Sequence, residues 1–305
     1  MMANELKEQI GTIIKGVGGY YEIFCVDRQI VQASPRGILR RGKLVPTVGD
    51  HVRITVSGDP DIPYVIEEIL PRKNLMLRPA IANIDLLLIT VSSAQPSPDF
   101  KLLDKLLIHC AIQNIEPLIM TTKKDLDEKT ADLICHVYGN AGFQVFSSAI
   151  NGISEDARIR EHFHGKTVAL AGQSGVGKST LCNLLSGYTG MAVGEISDRL
   201  KRGKHTTRHV ELIPLRDIFL MDTPGFSSLE ITRMQIGPHD VQKGYPEIIR
   251  NHDMCRFQDC YHLGELGCAV ESFDIDAGRL ERYRGFVDEL KKFKPFDNKR
   301  GDRKA

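Results

Sequence analysis

From Gly11 to about Leu70, short runs of alternating apolar and polar residues are separated by turn residues: GTIIKGVGGYYEIFCV, QIVQAS, DHVRITV and YVIEEIL. Period-two alternation marks strands with one buried face, and short strands at this spacing predict a small barrel, with an OB-like fold as the first expectation. The pattern changes beyond LPRKNLMLRP, which reads as a linker over Pro71 to Pro79. IDLLLITVSS and EPLIMTTKKDL are apolar runs of strand length, whereas FKLLDKLLIHCAIQNI between them has helical spacing. A helix around Lys129 to Tyr138, the strand FQVFSSA, a helix around Glu155 to Phe163 and the strands KTVALAG and DIFLMDTPG follow. Strands and helices in alternation predict a parallel sheet covered on both faces. After Gly225 the strand pattern gives way to a mostly helical region holding His and Cys, and the chain ends in the basic stretch KKFKPFDNKRGDRKA.

Composition narrows the class without changing this outline. A chain of 305 residues exceeds the usual single core, so two or three domains are expected. A hydrophobic fraction of 42% beside 26% charged residues excludes a disordered or membrane-embedded chain. No apolar run approaches the roughly 18 residues of a membrane span, and MMANELKEQIG lacks the layout of a signal peptide, so the cytoplasm is the expected location. The net charge of +1 gives no global case for nucleic-acid binding. Arg36, Arg40, Arg41 and Lys43, between predicted barrel strands, read equally as an RNA contact or as a solvated basic loop. Cys25, Cys110, Cys135 and Cys182 lie singly, so a disulfide framework is not expected.

The chemistry begins with GQSGVGKS, Gly172 to Ser179, which follows an apolar strand and opens the helix KSTLCNLLSG. Glycines at Gly172, Gly175 and Gly177 let backbone N–H groups close around phosphate oxygens with a helix N-terminus behind them, and Gln173, Ser174, Val176 and Thr180 complete that cradle. In such a loop Lys178 reaches the β and γ phosphates and the Ser179 hydroxyl ligates Mg²⁺. Asp222-Thr-Pro-Gly225 ends a second strand in the DxxG pattern, where Asp222 would hold Mg²⁺ through water and the Gly225 N–H would meet the γ phosphate. Between the two, Arg199 to His209 is polar and Lys- and Gly-rich, and reads as a mobile loop. Thr206 or Thr207 there could supply a further Mg²⁺ ligand.

Guanine differs from adenine in presenting a donor pair, N1–H and N2–H₂, that a carboxylate accepts. Thr122-Lys123-Lys124-Asp125, at the end of EPLIMT, supplies one in an [NT]KxD pattern, with Lys123 over the ring and Asp125 on the base edge. Thr122 stands where asparagine is commoner, and one supporting hydrogen bond is expected to be weaker for it. Ser147, Ser148 and Ala149 fit a short element whose backbone N–H meets guanine O6. Both elements precede the phosphate loop, the reverse of the usual order in switch GTPases. This is the order of a circular permutation. Toward the C-terminus, Cys255, Cys260, His262 and Cys268 offer three thiolates and an imidazole, which suits a closed, structural tetrahedral Zn²⁺ site. His252 could replace His262 only at a less regular spacing.

Taken together, GTIIKGVGGYYEI, VPTVGDHV, TKKD, SSA, GQSGVGKS, GKHTTR, DTPGF and the cysteine cluster, in this order, resemble the circularly permuted GTPases that assist small ribosomal subunit assembly, the RsgA or YjeQ family. The resemblance runs over nearly the whole chain. It implies a multidomain α+β protein: an N-terminal OB-like β-barrel over residues 1–72, a central circularly permuted α/β P-loop GTPase domain over 73–230, and a C-terminal mostly helical zinc-binding module with a basic tail over 231–305. It further implies GTP hydrolysis with Mg²⁺, one structural Zn²⁺, and binding to the small subunit through its rRNA by a monomer that needs no membrane. Phe226 follows the DxxG element and can neither donate nor accept, so another group must position the attacking water. By the same resemblance that group is His205, with His209 as the fallback. A nucleotide-gated RNA-binding regulator in which hydrolysis is incidental is the alternative reading.

Overall fold

The computed structural model describes residues 8–37, 39, 44–59, 62–77, 80–147, 161–178, 180–182, 210–215, 217–222 and 229–293. Strands β1 (Gln9–Val17), β2 (Tyr20–Cys25), β3 (Ile30–Pro35), β4 (His51–Val56) and β5 (Tyr64–Ile69) close into a barrel in the order β1-β2-β3-β5-β4. Only the β3 and β5 pair is parallel. This is the five-stranded OB-like barrel that the alternation predicts, with Ile13, Ile23, Val52, Ile54 and Ile66 fully buried inside it. The register of β1 against β2 shifts between Ile13 and Lys15. At that bulge the Ile14 carbonyl accepts the Leu212 amide at 2.8 Å, and Lys15 bridges Glu211, which fastens the barrel to the next unit.

The segment read as a linker is instead part of this junction. β6 (Leu75–Leu77) and β7 (Ala80–Ala82) pair antiparallel, with Met76 and Ile81 fully buried. Arg72 holds both carboxylate oxygens of the buried Asp50, at 2.6 and 2.7 Å, and Asn83 Nδ2 donates to the Gly49 carbonyl. LML is short but apolar, and burial of its central side chain orders a stretch whose Pro and Arg residues suggest a tether.

β8 (Leu86–Ser92), β9 (Glu116–Thr122), β10 (Val145–Ser147), β11 (Thr167–Ala171), β12 (Ile213–Leu215) and β13 (Ile218–Asp222) form one sheet in the order β10-β9-β8-β11-β13-β12. All neighbours are parallel except β12 and β13. Every residue of β8 and β11 is buried, because both faces are covered. Leu87, Ile89 and Val91 join one core while Leu86 and Leu88 join the other, as a two-residue period requires. The connections α1 (Phe100–Gln113) and α2 (Glu128–Ala141) are capped by Asp99 and Asp127, whose side chains accept the Leu102 and Thr130 amides, and they end on left-handed Asn114 and Gly142. The chain moves outward from β8 through β9 to β10, then returns to the other side of β8 as β11. The reversal lies between β8 and β11, and ligands of such sheets bind beside it, beyond the strand C-termini.

The C-terminal region is built from short 3₁₀ turns at Ile231–Arg233, Pro238–Gly244 and Ala269–Ser272, together with α3 (Pro246–His252) and α4 (Ala277–Lys292). Its core of Ile231, Val241, Tyr245, Ile248, Tyr283, Phe286 and Val287 packs on Ile108 of α1. A buried polar network joins the two units. Asp104 of α1 accepts from Arg279 Nη1 at 2.6 Å, Arg282 Nε at 2.5 Å, Tyr138 Oη at 2.8 Å and Tyr245 Oη at 3.1 Å, and Arg279 Nε reaches Glu247 Oε1 at 2.5 Å. The guanidinium of Arg279 also lies 4.4 Å from the Tyr245 ring centroid and 4.8 Å from that of Tyr138. Burial opposes the charge of Arg279, but Asp104 and Glu247 outweigh it and raise its pKa. Burial, then the Asp104 charge, pushes both tyrosine hydroxyls up, so they remain donors. Among the described residues no helix is long and apolar enough to cross a membrane.

Candidate functional site

The phosphate loop leaves β11 at the sheet reversal. Gly172 has φ +135°, and a Cβ there would sit against the Thr90 carbonyl oxygen of β8, so no other residue fits. Val176 is fully buried and anchors the loop, while helical backbone begins at Lys178 and the Leu181 amide bonds the Gly177 carbonyl at 2.9 Å. Lys178 Nζ donates to the Gly172 and Gln173 carbonyls, each at 2.7 Å, which holds the ammonium over the loop. Ser174, Gly175 and Thr180 are exposed and Gln173 is half-buried.

Thr122, at the end of β9, is brought against this loop. Its Oγ1 donates to the Val176 carbonyl at 2.7 Å, so the bond expected to be weaker for want of asparagine is made by the hydroxyl. Lys123, in left-handed backbone at φ +61°, donates from Nζ to the Gly175 carbonyl at 3.0 Å and to that of Gln95. Ser93 Oγ ties the end of β8 to the Thr122 and Lys123 carbonyls at 3.1 and 2.9 Å. Asp125 is exposed beyond this clamp. Lys124 turns the other way, bonding Asp132 at 2.9 Å with Glu128 3.5 Å away, and so pins the turn to α2 rather than entering the cleft. Ser147 closes β10 on the same edge, its Oγ buried with no hydrogen-bond partner among the described residues. The backbone of Asp222 ends β13, next to β11. Ser148, Ala149, Ser179, His205, Thr206, Thr207, His209 and Gly225 lie outside the described residues, as do Arg40, Arg41 and Lys43, and the side chain of Asp222 is likewise not described. Arg36 of the barrel is paired with Glu67.

In the C-terminal region the ligand atoms of Cys255, Cys260, His262 and Cys268 all lie within 4.8 Å of one another. His262 Nδ1 is 3.6 Å from Cys255 Sγ and 3.4 Å from Cys268 Sγ. A tetrahedral ion with bonds of about 2.3 Å to sulfur and 2.0–2.1 Å to nitrogen separates those atoms by about 3.6 Å, so the donor set fits a metal ion. Burial holds the His262 pKa down to about 4, which keeps the imidazole neutral as a ligand must be. Burial also pushes the Cys260 thiol up to about 12, so a bound cation has to displace its proton. The carboxylate of Glu265 accepts the Tyr261 and Leu263 amides at 3.0 and 2.7 Å and shapes the loop that carries Cys260 and His262.

The comparisons with known proteins agree with this geometry. The family model for the RsgA GTPase matches residues 69–232, and that for the RsgA N-terminal domain matches residues 10–61. A small ribosomal subunit biogenesis GTPase RsgA of Ruminiclostridium cellulolyticum is 39% identical over 300 residues, covering 96% of this chain and 97% of its own. The chain belongs to the RsgA GTPase family. The RsgA of Bacillus subtilis is also 39% identical, over 93% of this chain and 98% of its own. Among solved structures, YloQ, described as a circularly permuted GTPase, superposes with a TM-score of 0.77 at 34% identity over 97% of this chain and 99% of its own. YjeQ from Thermotoga maritima gives 0.76 at 25% identity over 94% and 100%.

As a member of the RsgA family the chain is a GTP hydrolase, and its strands explain how permutation leaves the cleft intact. What matters to a nucleotide is which strand ends are adjacent, and β9, β8, β11 and β13 are neighbours whatever order the chain visits them in. Three contributors lie outside the motifs of the sequence. Ser93 and Gln95 follow an apolar strand with no motif of their own. Asp104 did carry a signal, a carboxylate among the leucines of FKLLDKLL, on a stripe that otherwise reads as core.

Proposed function

We propose that this RsgA-family GTPase hydrolyses GTP while assisting late assembly of the small ribosomal subunit, the particle whose biogenesis its relatives are named for. The observation that carries the reading is the clamp between Thr122 and Val176, which sets a base-reading turn beside a phosphate loop in permuted order. Gly172 to Thr180 cradle the phosphates, Lys178 pairs with the β and γ phosphates, and Ser179, Asp222 and Thr206 or Thr207 hold Mg²⁺. Asp125 and Lys123 select guanine, with Ser147 to Ala149 at its O6. Cys255, Cys260, His262 and Cys268 hold one structural Zn²⁺. The barrel, the metal module and the basic tail contact rRNA, and the protein works as a monomer in the cytoplasm.

Turnover measured with and without purified small subunits tests the function. Stimulation by the subunit is expected, and His205→Ala is expected to lower the stimulated rate by roughly 10 to 10³-fold with little change in GTP affinity, if that imidazole aligns the water. No stimulation by subunits that do bind would favour the nucleotide-gated regulator instead.

Asp125→Asn is expected to move base preference from guanine toward xanthine, because an amide donor replaces a carboxylate acceptor. Competition with GTP, XTP and ATP measures it. Retained preference for GTP would remove Asp125 from the base site.

A further inference from the structure

His252 ends α3, ten residues before the ligand His262, and is held at both ring nitrogens. Its Nε2 lies 2.9 Å from the Gln258 carbonyl oxygen and its Nδ1 lies 2.9 Å from His262 Nε2, with the two rings nearly edge to face at 77°. A carbonyl oxygen has no proton to give, so the hydrogen of that first bond belongs to His252 Nε2. In a neutral imidazole Nδ1 is then an acceptor. With both rings neutral, His262 Nε2 is the donor of the second bond, which leaves the lone pair of His262 on Nδ1. That nitrogen is the one that faces Cys255 and Cys268.

We infer that His252 is a positioning residue of the metal centre, relaying the fixed polarity of the Gln258 carbonyl through its own ring to set the ligating tautomer and ring angle of His262. This rests on the reading of Cys255, Cys260, His262 and Cys268 as the metal ligands. The backbone of His262 is restrained separately, by left-handed φ of +57° and by Arg284 Nε on its carbonyl at 2.9 Å. Neither restraint governs rotation of the imidazole, which is the freedom the His252 bond removes. The same bonds make His252 a poor ligand in its own right, since both nitrogens are already engaged. Partners of this kind, behind a ligating histidine, raise its basicity and commonly contribute 10- to 100-fold in metal affinity.

The test uses the full chain, with Zn²⁺ affinity read by competition with a chromophoric chelator and ligand geometry by the absorption of the Co²⁺-loaded protein. His252→Phe keeps a ring but cannot accept, and a loss of about 10- to 100-fold in Zn²⁺ affinity is expected. His252→Asn places an amide oxygen near the position of Nδ1 and is expected to recover most of that loss. Equal affinity in wild type and His252→Phe overturns the inference. So does retention of Zn²⁺ by His262→Ala with its loss from His252→Phe, which would make His252 the ligand. Should the phenylalanine variant misfold, long-range ¹H–¹⁵N correlation on the metal-loaded wild type still decides, because a proton on His252 Nδ1 is incompatible with the relay. Wild type that binds neither ion, or Cys260→Ser that binds as tightly as wild type, would instead refute the metal-site reading itself.

Discussion

Asp104→Ala is expected to cost about 3–5 kcal/mol of stability, more than any other single truncation at the junction between the sheet and the C-terminal region. Asp104 is fully buried, and four donors converge on it, two of them guanidinium groups. Without it Arg279, 1% exposed, keeps Glu247 alone as a counter-charge among the described residues, and the Tyr138 and Tyr245 hydroxyls lose an acceptor where water does not reach. The cost is that of stranding a charge, which is larger than the net worth of the intact pair. Urea unfolding measures it, and hydrogen exchange across α4 shows whether that helix is released first. Arg282→Ala should cost less, because that side chain is partly exposed. An unchanged unfolding midpoint for Asp104→Ala would show that the network does not hold the two units together.

The second large effect is on chemistry. Lys178→Ala is expected to lower GTP turnover by at least about 10²-fold, the usual consequence of deleting a charge aimed at a phosphoryl group inside a preorganised site. Stability should change little, since the side chain is only part-buried and its bonds to the Gly172 and Gln173 carbonyls stay within the loop. Single-turnover hydrolysis alongside circular dichroism separates the two effects. Normal turnover by a folded variant would remove Lys178 from the phosphate site.

Several features were legible because the physics that produces them is local along the chain. The barrel follows from alternation over strands of six to nine residues, and the loop after β11 from glycines within a single turn. The metal cluster is similar, since Cys260, His262 and Cys268 are close enough in sequence to surround one ion. The stretch before β8 reads as a tether because its order comes from partners far away, Asp50 for Arg72 and Gly49 for Asn83.

The sequence alone therefore determined the glycine-rich pattern at Gly172 to Ser179, the permuted order of the motifs, and the set of residues able to ligate a metal. Each is a statement about residue type and spacing, which a chain carries whether or not it is folded. Tertiary structure decided the pairings. Thr122 meets Val176 across 54 residues, and Asp104 meets Arg279 and Arg282 across 175 and 178, separations at which no local pattern constrains distance. It also brought His262, the histidine that the spacing favours, to within 4.8 Å of the three cysteine sulfurs and set the His252 ring and the Gln258 carbonyl behind it, positions that no spacing along the chain specifies.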